Sequence, residues 1–232
     1  VTTSSIITSI SDVSATASGN ITNTGSGTID ERGICYNLTS GGVDPTATGS
    51  TSADISGPYG TGTFSRVLSG LTPEMQYNAR AYVINDVDTG YGMTYNFYTL
   101  STELSAHASS FTATTITYTQ IDLAFSAAST IPDADGYIII QRQGAAPIGV
   151  PMDGMAYNIG SPVGDGIVAG FITNTSITST SIVNISPGYT YYFTLIPYNW
   201  NSTNYQTYNY HTSGAPGASA STINPCPVRD II

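Results

Sequence analysis

The segments Leu71–Tyr77 (LTPEMQY) and Ile185–Tyr191 (ISPGYTY) share one pattern: an apolar residue, a hydroxyl residue, a proline, three further residues and a tyrosine. An offset of 114 positions superimposes them, and the same offset places Leu68 on Ile182. A long-period internal repeat indicates repeated structural units. In a chain of 232 residues, it predicts two domains of related fold.

Each repeat has the character of a turn that leads into a half-buried strand. Pro73 and Pro187 fix the backbone φ angle and remove an N–H donor, which favours turns. Over Tyr77–Val83, apolar and polar residues then alternate with the period of a β-strand. A tyrosine at the start of such a strand resembles the tyrosine corner of Greek-key sandwiches. We therefore expect structural roles for Tyr77 and Tyr191, with each hydroxyl tied to the preceding crossover.

The stretches around these corners resemble a known family. Residues 68–85 (LSGLTPEMQYNARAYVIN) and 182–199 (IVNISPGYTYYFTLIPYN) resemble the E-strand, turn and F-strand of fibronectin type III domains. Residues 27–37 (GTIDERGICYN) and 60–73 (GTGTFSRVLSGLTP) are similar to the fibronectin-III-like repeats of large secreted proteins of Gram-negative bacteria. The resemblance implies an all-β chain of two tandem Greek-key β-sandwiches, of the fibronectin type III or immunoglobulin-like class. It says little about function.

The expected domains are a sandwich at residues 1–100, a second and longer sandwich at 101–222, and an extended tail or linker at 223–232. In the first domain, alternation and turn residues predict strands at 4–10, 12–22, 28–38, 62–69, 76–85 and 92–99. In the second domain, they predict strands at 106–113, 116–126, 136–143, 156–160, 166–173, 178–185, 189–198 and 206–212.

The composition excludes several classes of function. Charged residues make up 9% of the chain, hydrophobic residues 40%, and the formal net charge is −10 with no lysine. So acidic a chain repels phosphate backbones and anionic membrane surfaces, so nucleic acid is not an expected partner. No apolar run approaches the roughly 18 residues of a membrane span. The chain begins at Val1, which is expected for a processed or excised product.

No catalytic motif is present in the sequence. His107 and His211 are the only histidines, and neither belongs to a metal-binding or nucleophile motif. We expect a non-enzyme without a cofactor, in which both histidines are surface or hydrogen-bonded residues.

Two pairs of aspartates are weak candidates for calcium ligands. Asp86 with Asp88, and Asp133 with Asp135, place two carboxylates one residue apart beside a glycine. Neither pair continues into the further ligands of an EF-hand loop, and aspartate and glycine are also ordinary turn formers. Both interpretations stay open.

An aromatic cluster is the strongest candidate for a contact site. Trp200, Tyr205, Tyr208 and Tyr210 lie in YNWNSTNYQTYNY, which corresponds to the connection between the last two strands of the second domain. Exposed tyrosine and tryptophan offer rigid contact area to a protein partner or flat faces to sugar rings. Alternatively, the rings pack on their own sheet and stiffen a long hairpin.

The C-terminal segment, residues 222–232 (TINPCPVRDII), is predicted to be extended because Pro225 and Pro227 disfavour a helix. It is either a truncated linker or a strand that pairs with a neighbouring subunit. Cys35 lies in a predicted strand of the first domain, whereas Cys226 lies in this tail. We expect Cys226 to be free or to form a disulfide between chains, not with Cys35.

These features predict a non-catalytic extracellular or cell-surface module with a structural or adhesive role, such as a repeat of a fibre, filament or adhesin. Its expected partners are itself or other surface proteins. The alternative is a carbohydrate-binding accessory module of a secreted polysaccharide-degrading enzyme, with polysaccharide as the partner. An exposed coplanar strip of rings at Trp200 would favour the alternative.

Overall fold

The computed structural model of the chain describes residues 1–225. Its regular structure is antiparallel β-strand, apart from two 3-10 turns of three residues each, Thr39–Gly41 and Tyr205–Thr207. Neither turn approaches the length of a membrane-spanning helix. The chain divides between Ser101 and Thr102 into two units, each with two sheets. The predicted all-β class with two sandwiches is confirmed.

The first unit packs a three-stranded sheet on a five-stranded sheet. Its strands are β1 (Thr2–Thr3), β2 (Ser14–Ile21), β3 (Ile29–Leu38), β4 (Ser50–Asp54), β5 (Gly62–Ser69), β6 (Gln76–Asn85), β7 (Thr89–Tyr91) and β8 (Tyr95–Tyr98). The smaller sheet has the order β1-β2-β5; the larger has the order β4-β3-β6-β7, with β8 also paired to β6. The chain begins in the smaller sheet with β1 and β2, passes to the larger sheet for β3 and β4, returns for β5 and ends in the larger sheet with β6 to β8, which is Greek-key connectivity.

Small residues on β2 allow the two sheets of the first unit to approach closely. Ala15 and Ala17 are buried in the core, in alternation with half-buried polar positions. At Gly19, a Cβ atom would lie 2.6 Å from the Cβ of Ala81 and 2.7 Å from the ring of Phe64. Any larger side chain at this position would force the sheets apart, at a cost of about 1–3 kcal/mol.

The second unit has the same two-sheet plan with one additional strand. Its strands are β9 (Ser109–Thr115), β10 (Gln120–Ser126), β11 (Gly136–Gln143), β12 (Pro162–Val163), β13 (Gly166–Ile172), β14 (Ser179–Val183), β15 (Thr190–Asn199), β16 (Asn209–Tyr210) and β17 (Gly217–Ser221). The smaller sheet has the order β14-β10-β9; the larger has the order β12-β13-β11-β15-β16, with β17 also paired to β15.

The larger sheet of the second unit is buried on both faces. On β11, Tyr137 and Ile139 belong to the core between the sheets. The alternate residues Ile138 and Ile140 pack with Val168 in a second apolar cluster on the other face. A strand buried on both faces shows a continuous apolar run instead of an alternating one. This burial accounts for the run of isoleucines in the sequence of β11.

The repeated corner has the same backbone geometry in both units. Gly70 and Asn184, which the repeat offset superimposes, have φ angles of 69° and 59°. Glu74 and Gly188, also superimposed, have φ angles of 63° and 74°. Left-handed backbone favours glycine and tolerates asparagine better than most residues. The two corners therefore repeat a conformation, although the residues in it differ.

The tyrosine of each corner is buried and its hydroxyl accepts a backbone hydrogen bond. Tyr77 accepts the N–H of Thr72 and Tyr191 accepts the N–H of Ser186, both at 2.9 Å. Each bond joins the start of a strand, β6 or β15, to the crossover before it. The prolines of the two turns are Pro73 and Pro187.

Three predicted strands differ from the structure. The prediction at 4–10 is wrong: the first strand is Thr2–Thr3, and Thr8 makes an isolated bridge to Thr16. The prediction at 156–160 is also wrong, because this segment belongs to an irregular loop. At 206–212, a 3-10 turn and the two-residue strand β16 replace a full strand. The last strand is instead β17, whose sequence GASAS carries no hydrophobic alternation.

Candidate functional site

Three of the four predicted contact aromatics form a stack on the outer face of the larger sheet of the second unit. The ring centroids of Trp200 and Tyr208 are 4.7 Å apart with an interplanar angle of 9°. Those of Tyr208 and Tyr210 are 5.4 Å apart with an angle of 4°. Tyr210 is buried, Trp200 and Tyr208 are half-buried, and the fourth aromatic, Tyr205, is 55% exposed.

The aromatic rings of the stack pack on the second apolar cluster, the one that contains Ile138 and Ile140. Trp200 and Tyr208 pack against the buried members of that cluster, among them Tyr198 and Tyr210. Because Tyr208 lies between two parallel rings, it offers neither face to a sugar. The arrangement therefore favours the interpretation in which the rings stiffen their own hairpin, and it is not a coplanar strip.

Polar side chains fix the backbone of the aromatic loop, residues 200–208. The carboxylate of Asp135 accepts the backbone N–H of Trp200 at 2.9 Å. The side-chain oxygen of Asn201 accepts the backbone N–H of Asn204 at 2.7 Å, and the hydroxyl of Thr207 accepts that of Asn201 at 3.0 Å. Asparagine and threonine satisfy backbone groups locally in this way, so the loop needs no neighbouring strand.

A second loop, residues 144–161 and called here the apolar loop, covers the same cluster. The hydroxyl of Tyr210 donates to the carbonyl of Met155 at 2.9 Å. The N–H of Tyr210 donates to Asp153 at 2.7 Å, and the N–H of Gly154 donates to the carbonyl of Tyr208 at 2.8 Å. The apolar loop and the aromatic stack are thus parts of one hydrogen-bonded layer.

The apolar loop exposes large hydrophobic side chains. Ile148 is 82% exposed, Met152 68% and Ile159 71%. Exposed apolar side chains concentrated in one segment often mark interaction surfaces, whereas single ones are ordinary. The sequence pattern did not predict a site in this loop. Its signal was a run of apolar residues in the longer middle section of the second domain.

Burial moves the pKa values of the tyrosines in this layer further above neutral pH. Burial is the main cause that raises the pKa values of Tyr198, Tyr208 and Tyr210, followed by neighbouring tyrosines for Tyr198 and Tyr210 and by nearby aspartates for all three. A phenol in this state donates hydrogen bonds and does not act as a base at neutral pH. Burial also raises the pKa of Asp153, although the N–H of Tyr210 opposes the effect. The layer therefore has the chemistry of a packing and contact surface.

The aspartates predicted as weak calcium ligands are used in turns. Asp88 accepts the backbone N–H of Thr89 at 2.7 Å, and Asp135 accepts that of Trp200. Asp86 and Asp133 are exposed residues of the same two turns. Within residues 1–225, no group of three or more acidic, histidine or cysteine side chains is placed to hold a metal ion.

The two histidines lie together in the second unit. Their rings stack with centroids 4.3 Å apart. Nδ1 of His211 is 2.8 Å from a carboxylate oxygen of Glu103, and Nε2 of His107 is 2.8 Å from the carbonyl oxygen of Ser213. These contacts fasten the segment before β9 to the residues after β16, which is a structural arrangement.

Cys35 is a buried free thiol in the first unit. Its Sγ lies 3.4 Å from the carbonyl oxygen of Pro45, and burial raises its pKa. A buried thiol with a raised pKa reacts slowly because little thiolate is present. Cys226, predicted as a possible interchain disulfide partner, lies outside the described residues.

The sequence matches no family model and no curated protein. Among solved structures, the chain is similar to a two-domain fibronectin type III segment of chicken tenascin, with 12% identity, a TM-score of 0.38, and coverage of 94% of this chain and 97% of that one. It is also similar to the FN1–FN3 domains of chicken CNTN1, with 10% identity, a TM-score of 0.46, and coverage of 95% of this chain and 67% of that one.

Proposed function

We propose that the chain is a non-catalytic structural or adhesive module of an extracellular or cell-surface protein, and that it associates with further copies of itself through the apolar loop. The observation that carries this proposal is the exposure of Ile148, Met152 and Ile159 on a loop that hydrogen bonds hold in place. The extracellular location is supported by the resemblance of residues 27–37 and 60–73 to repeats of secreted proteins.

Charge favours a second copy as the partner. The chain carries a net charge of −10, yet Asp153 is the only charged residue between positions 144 and 161. Two acidic chains repel each other over most of their surfaces. At the apolar loop, two copies can meet with few like charges in contact. Charge repulsion therefore does not offset the free energy gained by burying its apolar side chains.

Sedimentation velocity over a range of protein concentrations, combined with electron microscopy, tests this function. We expect concentration-dependent association of the wild type and loss of association in the triple variant Ile148→Ser, Met152→Ser, Ile159→Ser. The matched control replaces three comparably exposed residues of the first unit: Ile55, Val87 and Met93.

Two outcomes would contradict the proposal. A wild type that stays monomeric at every concentration would exclude self-association as the role. Equal association of the two triple variants would place the contact elsewhere on the chain.

A further inference from the structure

A polar cavity opens at one end of the sandwich in the second unit. Its volume is about 450 Å³, within the range of about 300–1,000 Å³ typical of small-molecule pockets. It lies on the core side of the larger sheet, beside the corner at Asn184–Ser186, whereas the apolar loop covers the opposite side of that sheet.

The cavity exists because glutamines continue the inward-facing positions of β11. Tyr137 and Ile139 fill the core, and the same alternation turns Gln141 and Gln143 inward. Gln141 lies opposite Ile167 on β13, so their side chains point to the same face of the sheet. Ile167 is nevertheless 42% exposed. The apolar core therefore ends before the edge of the sandwich, and the space beyond it has polar walls.

The hydrogen-bonding capacity of these walls is not fully used. Gln141 and Gln143 line the cavity together with Asn184 from the corner. The Oε1 atom of Gln141 is shut off from solvent and has no hydrogen-bond partner among residues 1–225. A buried unpaired acceptor costs about 1–3 kcal/mol unless a partner satisfies it. An amide rotation that turns this oxygen toward a bound donor would remove that cost.

The charges of the lining cancel each other. Arg142 Nη1 and Asp165 Oδ2 are 2.5 Å apart and are the charged pair at the cavity. The walls consequently have no net charge with which to select an ion. The three amides each donate and accept hydrogen bonds, as hydroxyl groups do. Ile185 and Tyr191 supply apolar surface for carbon–hydrogen faces.

We propose that this cavity binds one neutral sugar unit or a polyol of similar size, through the amides of Gln141, Gln143 and Asn184. The proposed site uses the amides of the cavity, whereas self-association uses the exposed apolar side chains of the apolar loop, so different residues carry the two proposals. Each can fail without the other.

Titration of the ¹⁵N-labelled full chain with D-glucose, D-galactose and N-acetyl-D-glucosamine, followed by NMR, tests the site. We expect shifts of the side-chain amide signals of Gln141, Gln143 and Asn184 with at least one sugar. Titration with a β-1,4-linked glucose trimer distinguishes two kinds of site. A site that accepts the end of a sugar chain binds the trimer, whereas a site for free sugar alone does not. Gln143→Ala and Asn184→Gly each remove one amide and should weaken binding about tenfold.

The control variant is Gln206→Ala, which removes an exposed glutamine of the aromatic loop in the same unit and should leave the affinity unchanged. Spectra of the ligand-free variants that overlay the wild-type spectrum establish that the fold is intact. Absence of shifts with all three sugars would overturn the proposal. So would shifts confined to Trp200 and Tyr208, which would place sugar binding on the aromatic stack.

Discussion

The carboxylate oxygen Oδ1 of Asp165 accepts the backbone N–H of Ile148 at 2.8 Å. The same oxygen accepts the N–H of Gly149 at 3.1 Å, while Oδ2 pairs with Arg142. The start of the apolar loop is therefore fastened to the turn before β13 by one side chain. That side chain also lines the polar cavity on the opposite face, so a single residue positions parts of both candidate surfaces.

The titration of Asp165 should be visible at the apolar loop. The N–H of Ile148, aided by that of Gly149 and by Arg142, lowers its pKa below the ordinary 3.8. A lowered folded-state pKa means that the stabilisation is present above pH 3.8 and is lost as the pH falls through the lower value. We expect the amide shifts of Ile148 and Gly149 to titrate together below pH 3.8, as followed by NMR. In Asp165→Asn they should not titrate, and a midpoint above 3.8 would contradict the assignment.

Removal of the corner hydroxyl should destabilise the second unit. In Tyr191→Phe the backbone N–H of Ser186 loses its acceptor, and we expect a loss of about 1–2 kcal/mol in the free energy of unfolding. Urea unfolding followed by tryptophan fluorescence measures it, because the single tryptophan, Trp200, lies in this unit. Tyr205→Phe is the control, since Tyr205 is exposed. Equal losses in the two variants would show that the corner bond contributes little.

The corner of the first unit should tolerate the residue that the second unit uses. Gly70 has a φ angle of 69°, and a Cβ atom there would meet no atom within 4 Å. Asparagine occupies the equivalent position, 184, so Gly70→Asn should change the free energy of unfolding by less than about 1 kcal/mol. Gly70→Val should cost about 2 kcal/mol, because a β-branched side chain opposes a positive φ. Calorimetry measures the stability of both variants. Equal losses of stability in Gly70→Asn and Gly70→Val would show that the backbone conformation at position 70 does not cause the difference.

Any disulfide between chains should involve Cys226 and not Cys35. The thiol of Cys35 is buried and its pKa is raised, so it reacts slowly. On non-reducing electrophoresis after oxidation, we expect a dimer band that disappears with reductant and in Cys226→Ser but persists in Cys35→Ser. A monomer without titratable thiols would instead indicate a bridge within the chain.

The elements that could be predicted from the sequence are those that local chemistry defines. Proline turns and period-2 alternation identified the strands that became β6 and β15, and the repeat indicated two sandwiches. Strand β17 (Gly217–Ser221) was not predicted, because its small residues do not alternate between strongly apolar and polar side chains. The segment 156–160 was predicted as a strand, yet it forms an irregular loop in which the hydroxyl of Tyr157 accepts the backbone N–H of Met152.

By itself, the sequence determined the two sandwiches, because prolines and alternating apolar and polar residues act over a few neighbours and the repeat shows the pattern twice. Only the tertiary structure decided which aromatic residues are exposed and where a cavity opens. Tyr210 is buried because a loop some 55 residues earlier in the chain covers it. The cavity brings Gln141 beside Asn184 through strand pairing and corner geometry, contacts between residues far apart in the chain that no local pattern encodes.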